Sequence, residues 1–421
     1  MKISCYKHQE FEDSQLISAN IDGLELWFRF PKTFEHDCGD ASPLVVASLI
    51  PAMLLGEDIE LSDELFISPL LFSNLTALQE IYCSWNPIFK HINIRARLQE
   101  PVARRSGKAC FFSGGVDGSY SLLQHSDSID YAVLVNGFDF NMDDATWRVM
   151  IARNEHLAKS LGITLIPVET NFKYFTSAFG IARQCNFGAV LICIGQIIGF
   201  DVLYIAAGLT YRNILPDGSH VLTDPLWTTE STAIIHTGME ADRRAKIEKI
   251  SENEIALSNL WVCWKDPSAN CGECDKCMRT YIALRICGID NFEFEKKISI
   301  RQVSKISIHN NVELSIFESF LEAAIQSENL DIQLIKALKN LIFKYKSRSF
   351  LKDTLQQFFP AFIRWRHNAR PELDRLVDIG LTPRYSDSIV LQGVRERFQK
   401  GKEFKEPENI GSIFSNPKSG T

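Results

Sequence analysis

Two clusters in this 421-residue chain have the residue types and spacing to do chemistry. The first is Ser113-Gly114-Gly115-Val116-Asp117-Gly118-Ser119, set between a short apolar run, Ala109–Phe112, and a segment patterned as a helix. Consecutive glycines let the backbone turn tightly and bring its N–H groups up to a ligand, and a helix opening directly afterwards adds its positive N-terminal end. That combination is a cradle for phosphate. It lacks the Lys-Ser/Thr ending of a Walker loop and the glycine spacing of a dinucleotide fold. The second cluster is Cys263, Cys271, Cys274 and Cys277, four thiols within fifteen residues that include two overlapping CxxC steps. They can close a tetrahedral shell around one zinc ion, and a full set of four leaves no open position, so the metal's role is structural. A four-thiolate iron–sulfur cluster is the competing metal reading.

These side chains need a scaffold, and the pattern from Ala109 to about Gly288 supplies one. Apolar strand candidates (Ala109–Phe112, Tyr131–Val135, Thr164–Pro167, Val202–Ala206) alternate with helix candidates (Gly118–His125, Asp144–Leu161, Ala189–Gly199). That alternation predicts an α/β fold, a parallel sheet with helices on both faces joined by right-handed crossovers. Three regions follow: an α+β N-terminal domain over 1–105, the α/β domain over 106–292, and a mainly helical C-terminal region over 293–421. In the first, a strand at Leu24–Phe30 and a helix around Ser42–Leu55 are expected, with Pro51 kinking the helix or delaying its start. In the last, helices are expected at Val312–Ser327, Asp331–Lys346 and Ser349–Phe359, then a mobile tail.

Ligands of open α/β sheets lie beyond the carboxyl ends of the strands. Asn136 and Phe138, after the second strand, are therefore placed to meet a base or ribose, although Phe138 also reads as core. Arg212 follows the fourth strand at the same edge; it could grip phosphate oxygens or be a solvated charge. Lys246 lies in the charged segment ADRRAKIEK, whose plain reading is a solvated helix face. His220, Asp224, Glu230 and His236 flank a loop that could cover the site, each alone reading as structural.

Composition narrows the rest. The chain is 45% hydrophobic with a net charge of −7, so it lacks the global basic field of a dedicated nucleic-acid binder. Lys336, Lys339, Lys344, Lys346, Arg348 and Lys352 nonetheless interleave with Phe343, Tyr345 and Phe350, and Arg364-Trp365-Arg366-His367 follows, a pattern open to phosphate contacts and base stacking. Eleven cysteines without a secretory leader suggest a reducing cytoplasm, and the seven outside the cluster read as packing. The apolar stretch Gly188–Leu209 is interrupted by Gln196 and Asp201, which predicts a buried helix and strand rather than a membrane span.

The loop Ser113–Ser119 resembles the SGGxDS signature of the PP-loop ATP pyrophosphatase superfamily, whose members cleave ATP between its α and β phosphates and activate substrates by adenylation. The downstream order, Ala245-Lys246-Ile247-Glu248-Lys249-Ile250, then C-x7-C-x2-C-x2-C, then Arg279, is similar to the 7-cyano-7-deazaguanine synthase (QueC) family. The resemblance covers about Lys108 to Asp290 and neither flank.

It implies a HUP-type parallel sheet. ATP would be held by Ser113, Gly114, Gly115, Val116, Asp117, Gly118 and Ser119, with magnesium near Asp117, zinc on the four cysteines, and Arg212 and Lys246 near the phosphates. It also implies an AMP-forming ligase or amidating enzyme acting on a small-molecule carboxylate, a deazaguanine-type compound being one candidate, with a protein or tRNA acceptor as a further partner. Oligomeric state is open, a homodimer being one option. The signature's final Ser is Gly118 here, with Ser119 one place later, which supports the alternative of a nucleotide-binding module in a defence or RNA- or protein-modification complex with weak turnover.

Overall fold

A computed structural model gives the fold and describes residues 1–358, except 103–105, 139–141, 180, 182–185, 264, 267–268 and 309–310; for 311–312 and 352–358 it describes the backbone alone. The tail, Arg364–His367 and Cys185 lie outside the described residues, as does the Lys352 side chain.

Three antiparallel strands open the chain: β1 (Lys2–Glu10), β2 (Ser14–Ile21) and β3 (Leu24–Pro31). Leu26, Phe28 and Phe30 alternate inward along β3, as a half-buried strand requires. Helix α1 (Ser42–Leu55) is buried at every position, consistent with its apolar residues all round. Pro51 sits inside α1 without ending it, and Gly56 closes the helix at φ +69°. Short strands β4 (Ile59–Leu61) and β5 (Phe66–Ile67) precede α2 (Pro69–Trp85), and β6 (Ile94–Arg95) and β7 (Arg97–Leu98) follow it.

The next segment alternates as its sequence predicts. It runs β8 (Lys108–Phe111), α3 (Val116–Gln124), β9 (Tyr131–Asn136), α4 (Asp144–Ser160), β10 (Thr164–Thr170), α5 (Phe172–Ala178), α6 (Phe187–Ile198) and β11 (Val202–Ala206). It continues with β12 (Ala233–Thr237), α7 (Arg243–Ser251), α8 (Glu254–Ser258) and α9 (Asp275–Ile286). Helix α6 followed by β11 bears out the buried helix and strand expected over Gly188–Leu209, and no helix among the described residues is long and apolar enough to cross a membrane. Three helices complete the description: α10 (Ile300–Val303), α11 (Asn311–Gln326) and α12 (Ile332–Phe358). Helix α12 replaces the two expected from Asp331 onward, because Ser347-Arg348-Ser349 contains no glycine or proline to break it.

The five strands β10-β9-β8-β11-β12 are parallel neighbours in that order. Numbered along the chain this is 3-2-1-4-5, so strand order reverses between β8 and β11, and a crevice opens there at the carboxyl edge. The sheet does not stop at β10. Strand β3 pairs antiparallel with it through Glu169↔Arg29 and Thr170↔Phe28, and β2, β1, β4 and β6 extend a single ten-stranded, mostly parallel sheet. Asn171 reinforces the seam, accepting from the Trp27 N–H at 2.9 Å and donating to the Glu25 carbonyl at 2.8 Å. Farther along, Glu230 takes the Leu70 N–H at 2.8 Å and the Ser68 hydroxyl at 2.5 Å, anchoring the start of α2. Helices α1 and α6 share the core on one face of the sheet; α3, α4, α7, α9, α11 and α12 bury residues in the core on the other.

Candidate functional site

Helix α3 begins where β8 ends, so the glycine loop turns at the crevice. Gly114 has φ +82°, a conformation that favours glycine, and a Cβ there would lie 3.0 Å from the Asn259 carbonyl. Its own carbonyl accepts the Trp261 N–H at 2.8 Å. Gly115 is the N-cap of α3, leaving the first N–H groups of the helix without intrahelical acceptors.

Asp117, in the first turn, faces α7. Lys246 from that helix is only 2% exposed, and its ammonium donates to Asp117 Oδ1 at 2.8 Å and to the Ala207 carbonyl, past the end of β11, at 2.6 Å. Arg243, nearly one turn earlier, brings Nη1 to 3.8 Å from Asp117 Oδ2 and donates from Nη2 to Thr280 Oγ1 at 3.1 Å. Burial alone would raise the Asp117 carboxyl, but the Lys246 and Arg243 charges outweigh it and hold it below the usual carboxylate range. Burial lowers the pKa of Arg243, and nearby Arg279 pushes the same way while Asp117 opposes both. At the head of α3 Asp117 thus faces Lys246 and Arg243 with Arg279 nearby, while Asp217, Glu240, Asp242, Glu318 and Glu322 balance the charge of the wider pocket; an anion arriving beside Arg243 and Arg279 would relieve their repulsion.

The surrounding pocket has a volume of about 1250 Å³, above the range that holds one drug-sized ligand. Ser113, Asp117, Gly118, Phe138, Arg212 and Lys246 all line it. Arg212 is at the rim, 85% exposed and 3.9 Å from Glu322 of α11. Asn136 instead ties down the chain that follows β9: its amide accepts from the Met142 N–H at 2.9 Å and donates to the Met142 carbonyl at 3.3 Å. Val116 and Ser119 are buried behind the loop, and the Ser119 hydroxyl has no hydrogen-bond partner among the described residues.

Sequence reasoning passed over Arg243, Lys276 and the α11 wall. A signal for the first was present, since Arg243, Lys246, Ile247 and Ile250 fall at i, i+3, i+4 and i+7 on one helix face.

The four cysteines converge. Their sulfurs lie within 4.8 Å of one another, and all four residues are buried. Zinc–thiolate bonds of about 2.3 Å in a tetrahedron imply sulfurs about 3.8 Å apart; Cys263 and Cys274 are at 3.9 Å. The shell matches one ion, whereas a multi-iron cluster spreads its thiolates around several metal atoms. Backbone N–H groups of Lys265 and Asp266 point to Cys263 Sγ at 3.3 Å, and that of Glu273 to Cys271 Sγ at 3.4 Å, which fixes where these sulfurs stand. Cys274 caps α9.

The other groups have quieter places. Asp224, fully buried, binds Ser219 Oγ at 2.6 Å and His236 Nδ1 at 2.8 Å, and the His220 ring stands edge-on to Trp85, so these residues brace their loop. Cys110 and Cys193 are buried as packing predicts, but Cys5 is exposed. Lys336, Lys339, Lys344, Lys346 and Arg348 are exposed on α12 with Phe343 and Phe350, Tyr345 is half-buried, and Lys346 pairs with Glu318 at 2.6 Å. Comparisons with protein-family models, curated proteins and solved structures return no match for the chain.

Proposed function

We propose that the crevice binds ATP through its phosphates and transfers AMP to a carboxylate, releasing pyrophosphate. The observation that carries this reading is Lys246, a buried ammonium shared between Asp117 and the Ala207 carbonyl at the head of α3, with Arg243 beside it. A lysine is kept this deep where its charge meets anions, and the glycine loop adds backbone donors on the opposite side.

In the proposed reaction a carboxylate oxygen attacks the α-phosphorus, the bond to the β-phosphate oxygen breaks, and pyrophosphate leaves. A nitrogen nucleophile then attacks the activated carbonyl and AMP departs, leaving an amide. Arg243, Lys246, Lys276 and Arg279 would stabilise charge on the departing pyrophosphate. Magnesium, when bound, would neutralise the phosphates; because Asp117 is already engaged by Lys246, it would arrive with the nucleotide. Phe138 suits the base, and the length of the pocket toward α11 leaves room for the second substrate. The cysteine centre would hold zinc as a structural ion.

A second reading, nucleotide binding without turnover, is favoured by one observation: Gly118 offers no hydroxyl to the pocket, and the Ser119 hydroxyl is buried away from it. Pyrophosphate release from ATP and magnesium, with and without deazaguanine carboxylates, separates the two. Tight ATP binding with no release under any of these conditions would reject the ligase.

A further inference from the structure

The cysteine centre and the anion pocket are built from the same two pieces of chain. One is the segment leading into Cys263. Trp261 donates its backbone N–H to Gly114 of the glycine loop, and the Asn259 carbonyl packs where a Gly114 side chain would stand. The other is α9. Cys274 caps it and Cys277 lies in its first turn; Lys276 and Arg279 of the same turns line the pocket, and Thr280 accepts the hydrogen bond from Arg243. Metal bonds from Cys263 to one piece and from Cys274 and Cys277 to the other, with Cys271 from the loop between them, would therefore fix the spacing between the glycine loop and three of the pocket's cations.

We propose that metal at the cysteine centre positions the pocket's two sides, so that metal affinity and anion affinity are thermodynamically linked. The inference rests on the reading of the crevice as a phosphate site. Without the metal, four buried thiols attract one another weakly, and the segment 259–263 stays tied to the glycine-loop side: Trp261 bonds Gly114, Arg153 donates to the Leu260 carbonyl at 2.9 Å, Asn259 donates to Asn154 at 3.4 Å, and Asn270 bonds the Val262 N–H and the Leu260 carbonyl, both at 2.9 Å. None of these bonds reaches α9. Repulsion between Arg243 and Arg279 then works against the Arg243–Thr280 hydrogen bond that holds α9 to α7, and an anion between the two cations removes that repulsion. Coupling of this kind is reciprocal: whatever factor metal adds to anion affinity, the anion adds to metal affinity.

The test uses the full chain and ADP with magnesium as the probe. Calorimetry on the zinc-loaded and zinc-stripped protein is expected to show at least tenfold weaker ADP binding after stripping. Competition against a chelating dye, corrected for zinc held by ADP itself, is expected to show zinc affinity raised by the same factor at saturating ADP. Equal ADP affinity in both forms, with the stripped chain folded by circular dichroism, overturns the coupling and leaves the phosphate site standing. If stripping unfolds the chain, the dye measurement decides: zinc affinity unmoved by ADP overturns the inference. Failure of the zinc-loaded protein to bind ADP at all overturns the phosphate reading, and the inference with it.

Discussion

Lys246 Nζ lies 2.8 Å from Asp117 Oδ1, joining α7 to the first turn of α3 across 129 positions of sequence. The lysine side chain is 3% exposed and the aspartate 35%, so the pair sits at the floor of the crevice with only its acidic member reaching solvent. Removing the lysine leaves Asp117 with Arg243 as its nearer remaining cation and strands the Ala207 carbonyl.

Lys246→Met should accordingly destabilise the fold by about 2–3 kcal/mol, less than for a fully buried pair because Asp117 is partly wet. It should also abolish ATP binding. Denaturant melts of Lys246→Met, Asp117→Asn and the double variant form a cycle; additive losses would show that the two side chains are not coupled.

Gly118→Ser restores the hydroxyl that the resemblance calls for. A Cβ at 118 would stand 3.0 Å from the Phe111 carbonyl, a tight approach offset by the better helix propensity of serine, so stability should change by less than about 1 kcal/mol. Pyrophosphate release should rise tenfold or more at similar ATP affinity. A variant that binds ATP as before and still releases nothing would mean that the hydroxyl is not what turnover lacks.

The parallel core was legible because buried strands read as unbroken apolar runs, and Val202–Ala206 needed no adjustment at all. Strand β12 was not, since Ala233, Ile235 and His236 make a short edge strand with mixed exposure. Nor could the sequence reveal that β3 docks on β10: the seam is two residue pairs long and joins positions some 140 apart, with no local pattern to announce it. The glycine loop and the cysteines were found because each is contiguous. Lys246 was misweighed because a charged segment hides a buried face at helical spacing, and the α11 wall depends wholly on how the C-terminal region packs.

On the zinc reading, Cys274→Ser removes one of the four sulfurs that would hold the ion, as well as the cap of α9. Bound zinc and thermal stability should fall together, the midpoint by roughly 5–10 °C, because metal-binding energy is folding energy here. Metal analysis alongside the visible spectrum reads the outcome. Unchanged zinc would refute the site, and iron with visible absorbance would replace zinc as its occupant.

Glu169, near the end of β10, offers a pH signature. It is 1% exposed, and among the described residues neither oxygen has a well-formed hydrogen bond, the Trp147 ring nitrogen being close by. Burial pushes its carboxyl up to about 7, with Arg29 and the Trp147 N–H opposing and Asp144 assisting. Between the ordinary glutamate value of 4.5 and about 7, the folded chain keeps a proton that the unfolded chain has released. Stability contributed by this group is therefore full below 4.5, falls as pH rises through that window, and is lost above it. Glu169→Gln carries no such titration. It should melt close to the parent at low pH and above it near pH 8, by on the order of 1–3 kcal/mol. Melting curves of both proteins across this range check the expectation; parallel curves would mean that Glu169 titrates in the folded chain as it does in the unfolded one.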